Sequence, residues 1–272
     1  MHAPDFPALV QASLDGDRRA VEALVSGIQR RIYNLAVRFF WEPADAEDAT
    51  QEILIRILTR LDSFRGESQF TTWAYRIAAN YLLNAKRSSA EQLTFEEGEA
   101  HLQAGLAYPA YEGADHAVLE TEVKLACSTS MLACLSRPLR LAYLIGEILE
   151  YSGPEAAAIL ETDPATFRKR LSLARQRIRG FMAKQCGIYN PDNPCRCARQ
   201  IRYSVEVEWI DPQRLRFAGQ SDAQAAGAQQ EIEQMLDEAA IFHSHPDYQA
   251  PERLIPAIRN LLQSGRFPLL NR

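Results

Sequence analysis

Residues 154–179 read PEAAAILETDPATFRKRLSLARQRIR, and this stretch decides the architecture. Ala157, Ile159 and Leu160 give a first short helix a core-facing side, and Glu161–Asp163 form a tight turn. From Pro164 onward, Phe167, Leu171, Ala174 and Ile178 recur at i, i+4, i+7 and i+11, the buried stripe of a second helix. Outside that stripe lie Arg168, Lys169, Arg170, Ser172, Arg175, Gln176 and Arg179. Between Pro164 and Lys184 there are seven Lys or Arg and no acid. A helix-turn-helix whose outer face carries such donors fits a DNA major groove. Arginine can grip guanine edges bidentately, and any of these cations neutralises phosphate. The bland alternative is a solvated basic face on an ordinary helical hairpin.

The region N-terminal to this motif is also helical. In DRRAVEALVSGIQRRIYNLAVRFF (17–40), Val21, Leu24, Val25, Ile28, Ile32, Leu35 and Phe39 keep helical spacing behind an Asp17 cap. Pro43 breaks that helix, and acidic residues suit the first turn of the next. In EDATQEILIRILTRL (47–61), Ile53, Leu54, Ile57, Leu58 and Leu61 form a core side, while Asp48, Gln51, Glu52, Ile55 and Thr59 form the other. An exposed isoleucine among acids and amides suits a protein contact; a scattered surface apolar residue is the plainer reading. A polar loop around Gly66 follows. In FTTWAYRIAANYLLNAKR (70–87), Phe70, Ala74, Ile77, Ala78, Tyr81 and Ala85 can be core. Trp73, Arg76, Asn80, Asn84 and Arg87 then line a second face that suits unstacked bases, although Trp73 is more often a core residue than a stacking platform.

Residues 88–123 change character, with eight acids and no Lys or Arg, and read as an acidic linker. Residues 203–217 include a short alternating run that fits a strand, and 222–263 read as two helices separated by FHSHPDYQAPE. The fold expected is therefore mainly α. It has helical blocks at 6–87 and 124–184 joined by the 88–123 linker, a Cys/Pro-rich joint at 185–202, and an extension at 203–272 that is mostly helical with a short possible strand.

The composition, 47% apolar and 24% charged with a net charge of −5, is that of a globular protein and not of a wholly basic nucleic-acid binder. No apolar run reaches the roughly 18 residues that span a bilayer, and the start lacks a signal-peptide pattern, so the expected place is the cytosol. Five cysteines in a reducing compartment default to free thiols. The joint, CGIYNPDNPCRCARQ (186–200), offers Cys186, Cys195 and Cys197, three of the four ligands a zinc ion needs. His243 or His245 would supply a fourth only if the tail folds back. No phosphate-binding loop, nucleophile elbow or carboxylate pair appears, so an enzyme is not expected, and no cofactor or catalytic residue is assigned.

Two motifs carry a family resemblance. DAEDATQEILIRI…LDSFRGESQFTTWAYRIAANYLLNAKR closely resembles conserved region 2 of extracytoplasmic-function (ECF) sigma factors, the small sigma-70-type promoter-recognition subunits of bacterial RNA polymerase. LSRPLRLAYLIGEILEYSGPEAAAILETDPATFRKRLSLARQRIR resembles their region 4. The resemblance covers roughly residues 10–182. It implies a transcription-initiation factor that binds core RNA polymerase through the β′ clamp and the β flap, and promoter DNA, with an anti-sigma factor as a further candidate partner and no membrane contact. It assigns Asp48, Gln51, Glu52 and Ile55 to the β′ coiled coil. It assigns Phe64, Arg65, Ser68, Arg76, Asn80 and Asn84 to melting the −10 element and capturing a flipped base. It assigns Arg168, Lys169, Arg170, Ser172 and Arg175 to the −35 element. The linker would thread the RNA-exit path. Leu173 stands where the family usually has arginine, and Lys169 and Ser172 also depart from common choices, so no promoter sequence carries over. A stand-alone helix-turn-helix regulator is the alternative; it leaves the first block without a role.

Overall fold

The computed structural model describes residues 4–86, 93–218 and 238–263. Four helices build the first block: α1 (Phe6–Leu14), α2 (Arg18–Phe39), α3 (Pro43–Thr59) and α4 (Phe70–Asn84). Asp17 caps α2, its carboxylate accepting from the amides of Arg19 at 2.8 Å and Ala20 at 3.3 Å. Every apolar residue expected on the inner faces of α2 and α3 is buried. Trp73 is buried too, in a cluster with Phe64 and Phe70, and is therefore core and not an exposed platform.

The acidic segment does not stay extended. Among its described residues are α5 (Phe95–Leu106) and the first turns of α6 (His116–Ala133), so the expected boundary at 124 falls inside a helix. The local cause is a capping box at Thr94-Phe-Glu-Glu: Glu97 N–H donates to Thr94 Oγ1 at 3.2 Å, and Thr94 N–H to the Glu97 carboxylate at 2.8 Å. The tertiary cause is the Cys/Pro-rich joint. Gly105 lets α5 lie so close to Gln200 that a Cβ there would sit 1.8 Å from its Oε1.

The second block continues with α7 (Arg137–Tyr143), a wide π turn (Leu144–Ile148), α8 (Gly153–Ile159) and α9 (Pro164–Gln185). Phe167, Leu171, Ala174 and Ile178 are buried as the spacing predicts. Gly146 is where α9 crosses the π turn; a Cβ there would meet the Phe167 ring at 2.7 Å.

Where a strand was expected, residues 203–206 are helical and 207–217 are turns and bends. Residues 203–206 end α10 (Cys197–Glu206), whose buried face of Gln200, Ile201, Tyr203 and Ser204 has helical spacing. The Val-Glu-Val-Glu alternation is too short to decide the period by itself. Two further helices, α11 (Glu238–His243) and α12 (Leu254–Gln263), close the described chain, flanking the predicted FHSHPDYQAPE break. The first of the two helices expected over 222–263 falls mostly outside the described residues.

The blocks share one hydrophobic cluster running from Val10 to Ile258. Helix α7 ties them together. Arg137 donates to the carbonyls of Leu82 and Ala85 at the end of α4, at 3.0 and 2.6 Å. Arg140, only 1% exposed, reaches Phe39 O at 2.7 Å at the end of α2, and Leu132 O and Ala133 O at the end of α6. Both guanidiniums meet carbonyls that a helix C-terminus leaves unpaired, where the helix dipole favours positive charge.

Candidate functional site

Three surfaces carry the residues singled out in the sequence. On α3, Asp48, Gln51, Glu52 and Ile55 come together with Arg56 and Tyr81 around one open groove of about 450 Å³. Arg56 Nε holds Glu52 at 2.8 Å and its guanidinium lies 4.8 Å from the Tyr81 ring centroid. Partial burial, with Glu52 nearby, pushes the Tyr81 phenol upward. The groove combines the carboxylates of Asp48 and Glu52 with the apolar side chain of Ile55, a mix that suits a protein contact.

The second surface is α4 with the loop before it. Arg65, Ser68, Arg76 and Asn84 are exposed, and Gly66 turns the loop at φ 72°. Phe64 does not stand free; its ring packs edge-on against Phe70 at 5.6 Å. Asn84 Nδ2 donates to Asn80 O at 2.8 Å. Asn80 Nδ2 donates to Glu161 Oε2 at 2.7 Å, so its amide is held by the turn of the helix-turn-helix.

The third surface is the outer side of α9. Asp163 caps it, accepting from Thr166 N–H at 2.9 Å, and the two hydrogen bonds to Thr166 hold the Asp163 carboxyl below its ordinary value. Arg168, Lys169, Ser172 and Leu173 are exposed, and Arg170 is half-buried. Arg175 Nε pairs with Glu147 on the π turn at 2.5 Å.

The joint is tightly bonded. Asn193 Nδ2 donates to Ala183 O and Cys186 O at 3.1 and 3.2 Å, satisfying the end of α9, while Arg196 ties Asn193 O and Pro191 O together. Cys127, which sequence reasoning had not grouped with the others, joins Cys186, Cys195 and Cys197 around an apolar cavity of about 30 Å³. Burial pushes the Cys195 thiol up to about 11 and raises those of Cys127 and Cys197 as well. Neither histidine completes a zinc set. His245 binds Ser128 and Tyr248, and His243 Nε2 donates to Glu147 O at 3.0 Å. Among the described residues, no three Cys, His, Asp or Glu side chains gather to hold a metal ion.

Several functional contacts escaped the sequence. Glu161 adopts a left-handed backbone, φ 46°, where glycine is at ease, and nothing in the ETD turn signals its reach to Asn80. Buried Glu122 clamps the successive amides of Arg216, Phe217 and Ala218, with shortest contacts of 2.7 Å. Asn34 and the Tyr248 backbone exchange two hydrogen bonds, at 2.8 and 2.9 Å.

The described residues thus form a helical body of the helix-turn-helix class, with a basic helix behind a short turn and a separate open groove on α3. The family model for sigma-70 region 2 matches residues 24–92. The RNA polymerase sigma-H factor of Pseudomonas aeruginosa is 32% identical over 175 residues, spanning 62% of this chain and 90% of that protein. The ECF RNA polymerase sigma-E factor of Escherichia coli (strain K12) is 31% identical over 175 residues, with the same 62% and 90% shares. A solved structure of CnrH in complex with the cytosolic domain of CnrY aligns with a TM-score of 0.46 at 22% identity, over 64% of this chain and 95% of that one. The chain belongs to the ECF group of the sigma-70 family; it is an RNA polymerase sigma factor, not an enzyme. No helix among the described residues is long and apolar enough to cross a membrane.

Proposed function

We propose that this sigma factor divides its work among the three surfaces. The α3 groove takes the coiled coil of the polymerase β′ clamp, with Ile55 as the apolar anchor and Asp48, Gln51 and Glu52 as the polar rim. The α4 face and its loop open the −10 element: Arg65 and Arg76 meet phosphates, and Asn80 and Asn84 read an unstacked base. Helix α9 enters the major groove at the −35 element with Arg168, Lys169, Arg170, Ser172 and Arg175, and its block docks on the β flap. Region 2 acts in the cytoplasm with the transcription machinery. An anti-sigma factor is a further partner of the same faces. The acidic RNA-exit role of 88–123 is not retained, because that segment supplies helices to the body.

The observation that supports this division most strongly is the assembly of all four candidate polymerase contacts on one groove. Two substitutions separate the surfaces. Ile55→Arg is expected to weaken binding to core RNA polymerase at least tenfold, with helix content unchanged. Arg168→Ala is expected to leave core binding intact and weaken promoter capture by about 1–3 kcal/mol if Arg168 contacts a base edge. Core binding undisturbed by Ile55→Arg, measured by fluorescence anisotropy, would remove the groove from the interface.

A further inference from the structure

The closed body is at odds with the division of labour just proposed, on which this inference rests. Elements labelled −10 and −35 lie about 25 base pairs apart, on the order of 80 Å along a duplex at about 3.4 Å per base pair. A compact chain of this length has a radius of gyration of about 19 Å, too small to lay the α4 face and α9 on both elements at once. The two blocks must part for promoter reading, yet here they are joined at the reading residues themselves. Asn80, on the −10 face, is hydrogen-bonded by Glu161 from the turn that presents α9. Glu161 holds that position from a left-handed backbone that an L-residue rarely adopts.

The extension spans both blocks. On the first block, Asn34 pairs with the Tyr248 backbone, Arg38 donates to Pro246 O at 3.2 Å, Arg259 forks onto Glu22 at 2.8 and 2.9 Å, and Arg253 pairs with Glu47, the neighbour of Asp48 in the polymerase groove. On the second, Phe242 packs on Tyr143 with centroids 5.3 Å apart, His243 reaches Glu147 O, and His245 bonds Ser128 of α6 at 2.6 Å. One stretch, 242–259, thus joins both halves in addition to the α7 guanidiniums, and its outermost contacts are surface ion pairs that a competing charged partner can displace.

We infer that the C-terminal extension is an internal clamp that keeps the two promoter-reading halves together with the Asn80 amide occupied, and that its release from the first block is the activating step. The α3 groove stays open in the clamped state, so core polymerase can engage before the halves part.

The test uses the full chain, because removing everything after Lys184 would expose the apolar surface that α10 covers on α5 and α6. Three variants are compared with the parent: Arg253→Glu/Arg259→Glu; the same pair with Glu22→Arg/Glu47→Arg; and Glu161→Gly, which suits the left-handed backbone and removes the carboxylate from Asn80. Small-angle scattering reads compactness. Heparin-resistant complexes with core polymerase on a random-sequence duplex pool read promoter capture. The double variant is expected to expand by several ångströms and to form at least fivefold more complexes, the four-site charge swap to return to the parent on both readouts, and Glu161→Gly to raise complex formation. Equal compactness and equal complexes across the set would overturn the clamp and leave the promoter reading standing. Expanded variants with no complexes from any chain would overturn the promoter reading, and the clamp's regulatory role with it.

Discussion

His245 sits where the extension meets α6, and its hydrogen bonds define its charge. Ser128 Oγ lies within 2.9–3.0 Å of the carbonyls of Lys124 and Leu125, to which its proton goes, so it accepts from His245 Nε2–H. The Tyr248 hydroxyl then donates to Nδ1 at 2.9 Å. A neutral imidazole satisfies both partners; an imidazolium would set two donors against each other. Burial, followed by the nearby charges of Arg38 and Lys124, holds its pKa well below 6.5. Between those two values the unfolded chain takes up a proton that the folded chain does not. The stability is therefore complete above about pH 6.5 and falls as the pH drops, by up to about 1.4 kcal/mol per pH unit. His245→Gln is expected to flatten the loss between about pH 6.5 and 5 in urea titrations; an unchanged slope would place the titrating group elsewhere. The same scale holds Glu161 and Glu122, whose identities are plain in the sequence but whose partners, 81 and 94–96 residues away, are not.

Among the elements, α7 contributes most beyond its size. Seven residues carry two guanidiniums that cap α2, α4 and α6. Arg140→Leu keeps the bulk but leaves buried carbonyls without donors. It is expected to cost about 3 kcal/mol or more, read as a lower denaturation midpoint at constant m-value; a loss below about 1 kcal/mol would show that the carbonyls find other donors. Helices α2 and α9 were legible because each carries a long apolar stripe behind an aspartate cap, and α3 because its apolar stripe follows Pro43 at the helix start. Helix α5 was missed because it has few apolar residues and depends on a capping box and on docking against α10. The strand expected at 203–217 failed for a related reason: four alternating residues matched a two-residue period while the helical face began upstream, at the joint.

The whole molecule is built on one continuous core, in place of the two blocks on a flexible tether that composition suggested. A tethered pair would unfold in two steps. The shared cluster and the α7 caps predict one cooperative transition by scanning calorimetry, with van't Hoff and calorimetric enthalpies in agreement. Two resolved transitions would restore the tether. At this scale the sequence by itself determined the helical class, the helix-turn-helix and the outward-facing residues of α3 and α9. Periodicity and capping are local properties, carried within a few turns of chain. Only the tertiary structure decided that Glu161 meets Asn80, that the acidic segment is helical body, that Trp73 is core, and that the Cys-rich joint is a bonded corner carrying a strap across both halves. Those outcomes depend on which distant surfaces bury one another, and a one-dimensional pattern does not contain that choice.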